Sequence, residues 1–286
     1  MSAAEAAPAR PVAGRGPSPR FLLSELRLML RRRRNLAGLL VLAGVPVLIG
    51  VAVRLQASRP GRDAPDFFRS ITDNGLFVAL AALTIEMGLF LPLAVAVVAG
   101  DSVAGEANLG TLRYLLAVPV SRPRLLAVKY AAIVVGAFTA TFLVSVTGMV
   151  VGLLLFGGGP MTLLSGTQVG FAEGAGRVAL ATAYLACGMA SLGAVGLFVS
   201  TLTEQPIGAT IAILVFSTAS FILDTIPQVS WIHPYLITHN WTAFGDLFRD
   251  PVAWGGLAHG LYVAAAYAVV FLLAAWARFA GKDVTS

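Results

Sequence analysis

The chain of 286 residues is 57% hydrophobic and 12% charged, with a mean hydropathy of +0.82. Soluble domains carry about a quarter charged residues, so this composition excludes a water-soluble globule and defines a membrane protein. The formal net charge is +6, yet the basic residues gather at the edges of apolar runs, and no nucleic-acid partner is expected. Cys187, the one cysteine, lies in an apolar run and reads as a small buried hydrophobe. A single thiol makes neither an intrachain disulfide nor a thiolate metal cluster.

Residues 1–18 are rich in Ala, Pro and Gly, the composition of a disordered tail and not of a signal peptide. Ser18-Pro19 reads as a helix start, with Ser as the cap and Pro at the first helical position. Leu22, Leu26, Met29 and Leu30 then share a face, with Glu25, Arg27, Arg31 and Arg34 at polar positions around it. That pattern predicts an amphipathic helix lying on the inner membrane surface. Six apolar blocks follow, over 36–55, 75–99, 131–156, 177–200, 206–223 and 257–279. Each is near the ~20 residues that cross ~30 Å of hydrocarbon. Residues 19–286 therefore read as one transmembrane domain of an all-α polytopic fold, without the short alternating segments of a β-barrel.

With the N-terminus inside, fourteen of the twenty Lys and Arg residues fall on the cytoplasmic side. The positive-inside rule then places both termini and a loop over 100–130 in the cytoplasm, in a plasma-membrane protein. On the outer side, Gly157-Gly158-Gly159-Pro160 reads as a turn, because no Lys-Ser/Thr follows to make a phosphate cradle. The stretch 224–256 contains Trp231, Tyr235, Trp241, Phe244, Phe248 and Trp254, which predicts interfacial or re-entrant helical pieces. His233, His239 and His259 lie among aromatic residues without acids at ligand spacing, so they read as interfacial hydrogen-bonding groups and no metal site is expected. Gly148…Gly152 and Gly256…Gly260 permit close helix contact and are candidates for a subunit interface.

Within 100–130, Leu109, Leu112, Leu115 and Leu116 recur at helical spacing. Glu106, Arg113, Arg122 and Arg124 are available to pair with charges on a partner or with lipid phosphates. Pro119 ends the helix, since the residue before a proline disfavours helical geometry. The residues alone leave a second reading open, a solvated loop whose basic residues serve topology only. Gly105-Glu106, Gly110-Thr111-Leu112, Pro119, Ser121-Arg122 and Lys129 follow the spacing GE-x3-GTL-x6-P-x-SR-x6-K. This resembles the cytoplasmic loop of ABC-2 type exporter permeases, and the six-span layout behind an amphipathic helix is similar over nearly the whole chain.

The resemblance implies a coupling helix that docks on a separate ABC ATPase subunit, with ATP and Mg on that partner. It implies that Glu106, Gly110, Thr111, Leu112, Arg113, Pro119, Arg122 and Lys129 carry the coupling. It also implies a second permease copy or homologue, a helical hairpin between the fifth and sixth spans, and export of a drug, antibiotic, lipid or similar substrate. The chain itself has no GxxxxGK[ST], HExxH or GxSxG sequence. No catalytic constellation and no cofactor are expected on it, so it does not read as an enzyme. The turn Ser200–Pro206 reads as a plain polar turn or a second, smaller ATPase contact.

Glu86 lies midway along the second apolar block, where an ionisable group is costly and faces a bundle interior or cavity. It reads either as a contact for a cationic substrate or a proton, or as a protonated acid hydrogen-bonded to a neighbouring helix. Two other functions stay open: an ion- or proton-coupled transporter centred on Glu86, and a non-transporting membrane scaffold or sensor.

Overall fold

A computed structural model describes residues 19–57, 74–110 and 122–281. The expected tail over 1–18 and most of the first outer loop lie outside them, as do Thr111, Leu112, Arg113 and Pro119. Helix α1 (Pro19–Arg31) opens on Pro19, whose missing N–H has no intrahelical partner at that position in any case. Arg32 separates it from α2 (Arg33–Ala57). The corner is closed by the amide of Asn35, which donates from Nδ2 to the Met29 carbonyl at 2.8 Å.

The second apolar block is two helices and not one, α3 (Leu76–Glu86) and α4 (Phe90–Asn108), parted at Met87–Leu89. Pro92 accounts for the break, because it lacks the N–H that would bond the Gly88 carbonyl and its ring crowds that oxygen. Leu89 accordingly leaves helical geometry, at φ −145° and ψ −53°. Four more long helices follow: α5 (Arg122–Phe156), α6 (Phe171–Leu202), α7 (Pro206–Asp224) and α8 (Trp254–Ala280). The all-α fold with six long apolar helices is as the sequence predicts.

The helices outrun the apolar blocks. Asp101–Asn108 continue α4 and Arg122–Tyr130 open α5, so the segment expected as a loop over 100–130 is helical at both ends, while 111–121 lie outside the described residues. Hydropathy ends a span where polar residues begin, but nothing there stops a helix. Pro123 sits in the first turn of α5, where its N–H is not needed, and α4 ends only before Gly110, whose φ of +68° suits glycine. Between α5 and α6 the turn at Gly157 (φ +79°) leads into a small antiparallel hairpin, β1 (Met161–Thr162) and β2 (Gln168–Val169), which the sequence reading lacks. The aromatic stretch between α7 and α8 folds as two 3₁₀ segments, Pro227–Tyr235 and His239–Phe248.

Helix α6 occupies the middle of the bundle. Its most apolar stretch is 78% buried, against 11% for α8, whose outer face carries Leu261, Tyr262, Val269 and Leu273 in the open. The small residues of α6, from Gly188 to Gly196, let its neighbours approach on every side. The motif Gly148…Gly152 is spent inside the chain. A Cβ on Gly148 would stand 2.7 Å from the Ala79 Cα, and one on Gly152 would run into the Gly75 backbone. It therefore fixes the crossing of α5 with α3 and is not free for a subunit interface. Gly260 likewise packs against Tyr184 and Asn240.

This crossing generates a test. Gly148→Val should lower the thermal unfolding midpoint in detergent, by an amount corresponding to about 1–3 kcal/mol of overpacking. Gly44→Ala, where an added Cβ meets nothing within 4 Å, should leave it unchanged or slightly raised.

Candidate functional site

Three helices deliver charge to one place at the α1 end of the bundle. Lys129 lies two turns into α5, between the buried Leu125, Leu126 and Ala132. Its side chain is 2% exposed, and Nζ stands 2.5 Å from Glu106 Oε1 on α4 and 3.8 Å from Glu25 Oε2 on α1. An ammonium taken out of water persists only beside compensating charge. Asp101, also on α4, pairs with both Arg32 and Arg34, the latter at 3.2 Å. Three acids (Glu25, Asp101, Glu106) and two bases (Arg32, Lys129) thus border a cavity of about 60 Å³ between α1, α4 and α5.

The far stem of the 109–121 loop is fastened separately. Arg122, the first residue of α5, donates from Nη1 to the carbonyls of Phe279 (3.0 Å) and Ala280 (2.8 Å). These are terminal carbonyls of α8, which have no intrahelical donor, and a cation suits that helix end. On the opposite flank of α4, Ser200 of α6 inserts its hydroxyl. It donates to the Gly100 carbonyl at 2.8 Å and accepts from the N–H groups of Ala104 (2.9 Å) and Val103 (3.1 Å). The residue that opens the Ser200–Pro206 turn is therefore a buried helix clamp and not a plain surface group.

Of the residues expected to couple, Glu106 and Lys129 are brought together and face each other, and Arg122 braces the second stem. Gly110 begins the loop, with open space where a Cβ would lie. Thr111, Leu112, Arg113 and Pro119 lie outside the described residues. The sequence reading set Glu25 and Arg34 on the outward polar side of α1 and did not single out Arg32 or Asp101. One signal was present: Glu25 falls with Leu22, Leu26 and Met29 at helical spacing, inside the apolar stripe itself. An acid there predicts a buried cation opposite.

Glu86 is the last residue of α3, at the break and not in mid-helix, and is 0% exposed. Neither carboxyl oxygen has a hydrogen-bond partner among the described residues. The expected alternative, a bond to a neighbouring helix, is not found there. At the other end of the bundle, His239 Nδ1 meets Asp224 Oδ1 at 2.6 Å. The rings of His233 and His259 bond the carbonyls of Ile226 and Pro234 at 3.1 and 2.9 Å. Among the described residues no three His, Cys, Asp or Glu side chains gather as metal ligands.

Six helices long and apolar enough to cross a bilayer make this a multi-pass membrane protein. Residues 66–285 match a family described as protein of unknown function (DUF2705), and the chain belongs to that family. No curated protein matches the chain. The family match begins after α2, so it includes Asp101, Glu106 and Lys129 but not the partners Glu25, Arg32 and Arg34 on the preceding segment.

The buried pair sets an order among variants. Lys129→Met removes the buried cation that Glu106 and Glu25 share and should cost about 3–5 kcal/mol. Glu106→Gln leaves Lys129 the more distant Glu25 and should cost less, and the double variant should be more stable than Lys129→Met alone. Thermal or denaturant unfolding of the four proteins in one detergent checks this order.

Proposed function

We propose that this chain is the membrane-spanning subunit of an ABC-2 type exporter, driven by separate ATPase chains that dock on the loop between α4 and α5. One observation carries the reading: the base of that loop is braced on both sides. Glu106 and Lys129 lock the stems together and tie them to α1 through Glu25, while Arg122 ties the second stem to the end of α8. A push on residues 109–121 would thus be delivered to α1, α4, α5 and α8 as a rigid displacement instead of being absorbed by flexing stems. The spacing of the loop, the amphipathic α1 ahead of the first span and the excess of Lys and Arg at this end support the same reading. On this proposal the loop and both termini are cytoplasmic in the plasma membrane, and ATP and Mg belong to the partner. A second permease copy or homologue completes the transporter, and the substrate is a drug, antibiotic, lipid or similar compound.

The test is co-purification with an ATPase subunit in detergent. The variants are Leu112→Asp and Arg113→Glu, because changes at Glu106 or Lys129 would disturb the bundle itself. Loss of the complex with an unchanged unfolding midpoint is expected. Wild-type chain that captures no nucleotide-binding partner would sink the proposal and leave a scaffold or sensor.

The second reading, an ion- or proton-coupled transporter, is favoured by Glu86, a buried acid beside a broken span with no hydrogen-bond partner among the described residues. Its test uses Glu86→Gln, which cannot ionise. Transport whose pH dependence flattens in this variant would support it, whereas an unchanged pH profile would make Glu86 a structural residue.

A further inference from the structure

Between α1, α2, α4 and α5 the bundle leaves a cavity of about 280 Å³. Its walls are apolar, with Leu39, Leu42, Phe90 and Val98 among them, and small residues such as Gly38 and Ala140 make the room. An added Cβ at Gly38 would meet nothing within 4 Å, so bare backbone borders the space. Leu30 and Val41 of its lining are 44% and 54% exposed, so the cavity is not closed off from the surface of the bundle. Its charged end is formed by Arg34 beside Asn35, and Thr139 on α5 is the other polar residue of the lining.

That end carries surplus positive charge. Asp101 is shared by Arg32 and Arg34, so one carboxylate serves two guanidinium groups. Arg31 and Arg33 flank them in the chain, are exposed, and make no ion pair among the described residues. Asn35 uses its nitrogen on the Met29 carbonyl, which leaves its Oδ1 without a partner among the described residues. A ligand that fits has a flexible apolar chain and a negatively charged end. A polypeptide does not suit the space, since its amides would go unsatisfied against these walls.

We propose that the cavity holds an acyl chain of an anionic phospholipid from the leaflet in which α1 lies, with its phosphate on Arg34. The exposed side of the lining, at Leu30 and Val41, is apolar, and α1 lies at the level where headgroups sit. The lipid then acts as a wedge between α1–α2 and α4–α5, the same helices that the Lys129 cluster draws together. None of this requires an ATPase on the loop.

The full chain, stripped of lipid in detergent, is titrated with phosphatidylglycerol or with phosphatidylcholine of identical acyl chains. The unfolding midpoint and native mass spectrometry are the readouts. Phosphatidylglycerol should raise the midpoint saturably and remain bound as a discrete adduct, with phosphatidylcholine weaker by roughly fivefold or more. Gly38→Leu, whose Cβ meets nothing within 4 Å and whose side chain takes up room in the cavity, should abolish saturable binding of both lipids and keep the lipid-free midpoint at or above wild type. Arg34→Gln, with Arg32 still on Asp101, should retain binding but erase the headgroup preference. Equal binding of the two lipids to wild type, or undiminished binding to Gly38→Leu, overturns the proposal. So does a lipid-independent dimer that Gly38→Leu abolishes, which would assign the groove to a second copy of the chain.

Discussion

The ammonium of Lys129 has almost no contact with solvent, and the α1 end of the bundle is arranged around that constraint. A cation removed from water needs opposite charge at close range, and here it comes from two other helices, Glu106 on α4 and Glu25 on α1. The requirement fixes the rotation of all three helices, because apolar packing alone tolerates small slides that an ion pair does not. Asp101 adds the start of α2 through Arg32 and Arg34. The amphipathic helix is thereby part of the bundle and not merely adsorbed on its surface.

Much of the fold was legible because every apolar block but the second forms one continuous helix of about bilayer length. The departures arise where hydropathy carries no information. Polar residues extended α4 and α5 because their partners lay on other helices, as with Glu106 and Lys129, and a window average along one chain does not see a partner. Pro92 was visible in the block 75–99, but a hydropathy average does not register that a proline there leaves the Gly88 carbonyl without its donor and splits the helix. The glycines at 148 and 152 signalled close approach correctly, and only the three-dimensional packing shows that the approaching backbone is α3 of the same chain.

For the site, the sequence picked out Glu106, Lys129 and Arg122 as coupling residues, without showing which groups of the chain itself they meet. The structure turns the first two toward each other and the third onto the end of α8. The distinction matters for the exporter reading. On that reading the stems, Glu106 and Lys129 with Arg122, are the parts that would carry a partner's movement inward.

The split second span has a further consequence. Its two halves belong to different neighbourhoods, α3 packing mainly on α5 and α2, α4 mainly on α6 and α7. Met87–Leu89 is therefore a joint between two separately anchored rods, and a small relative rotation of the two groups of helices would be concentrated in three residues. Glu86 sits at that pivot, and neither of its oxygens has a hydrogen-bond partner among the described residues. A rotation at the joint would carry this buried acid with it, which ties the position of its carboxyl to the angle between the two rods.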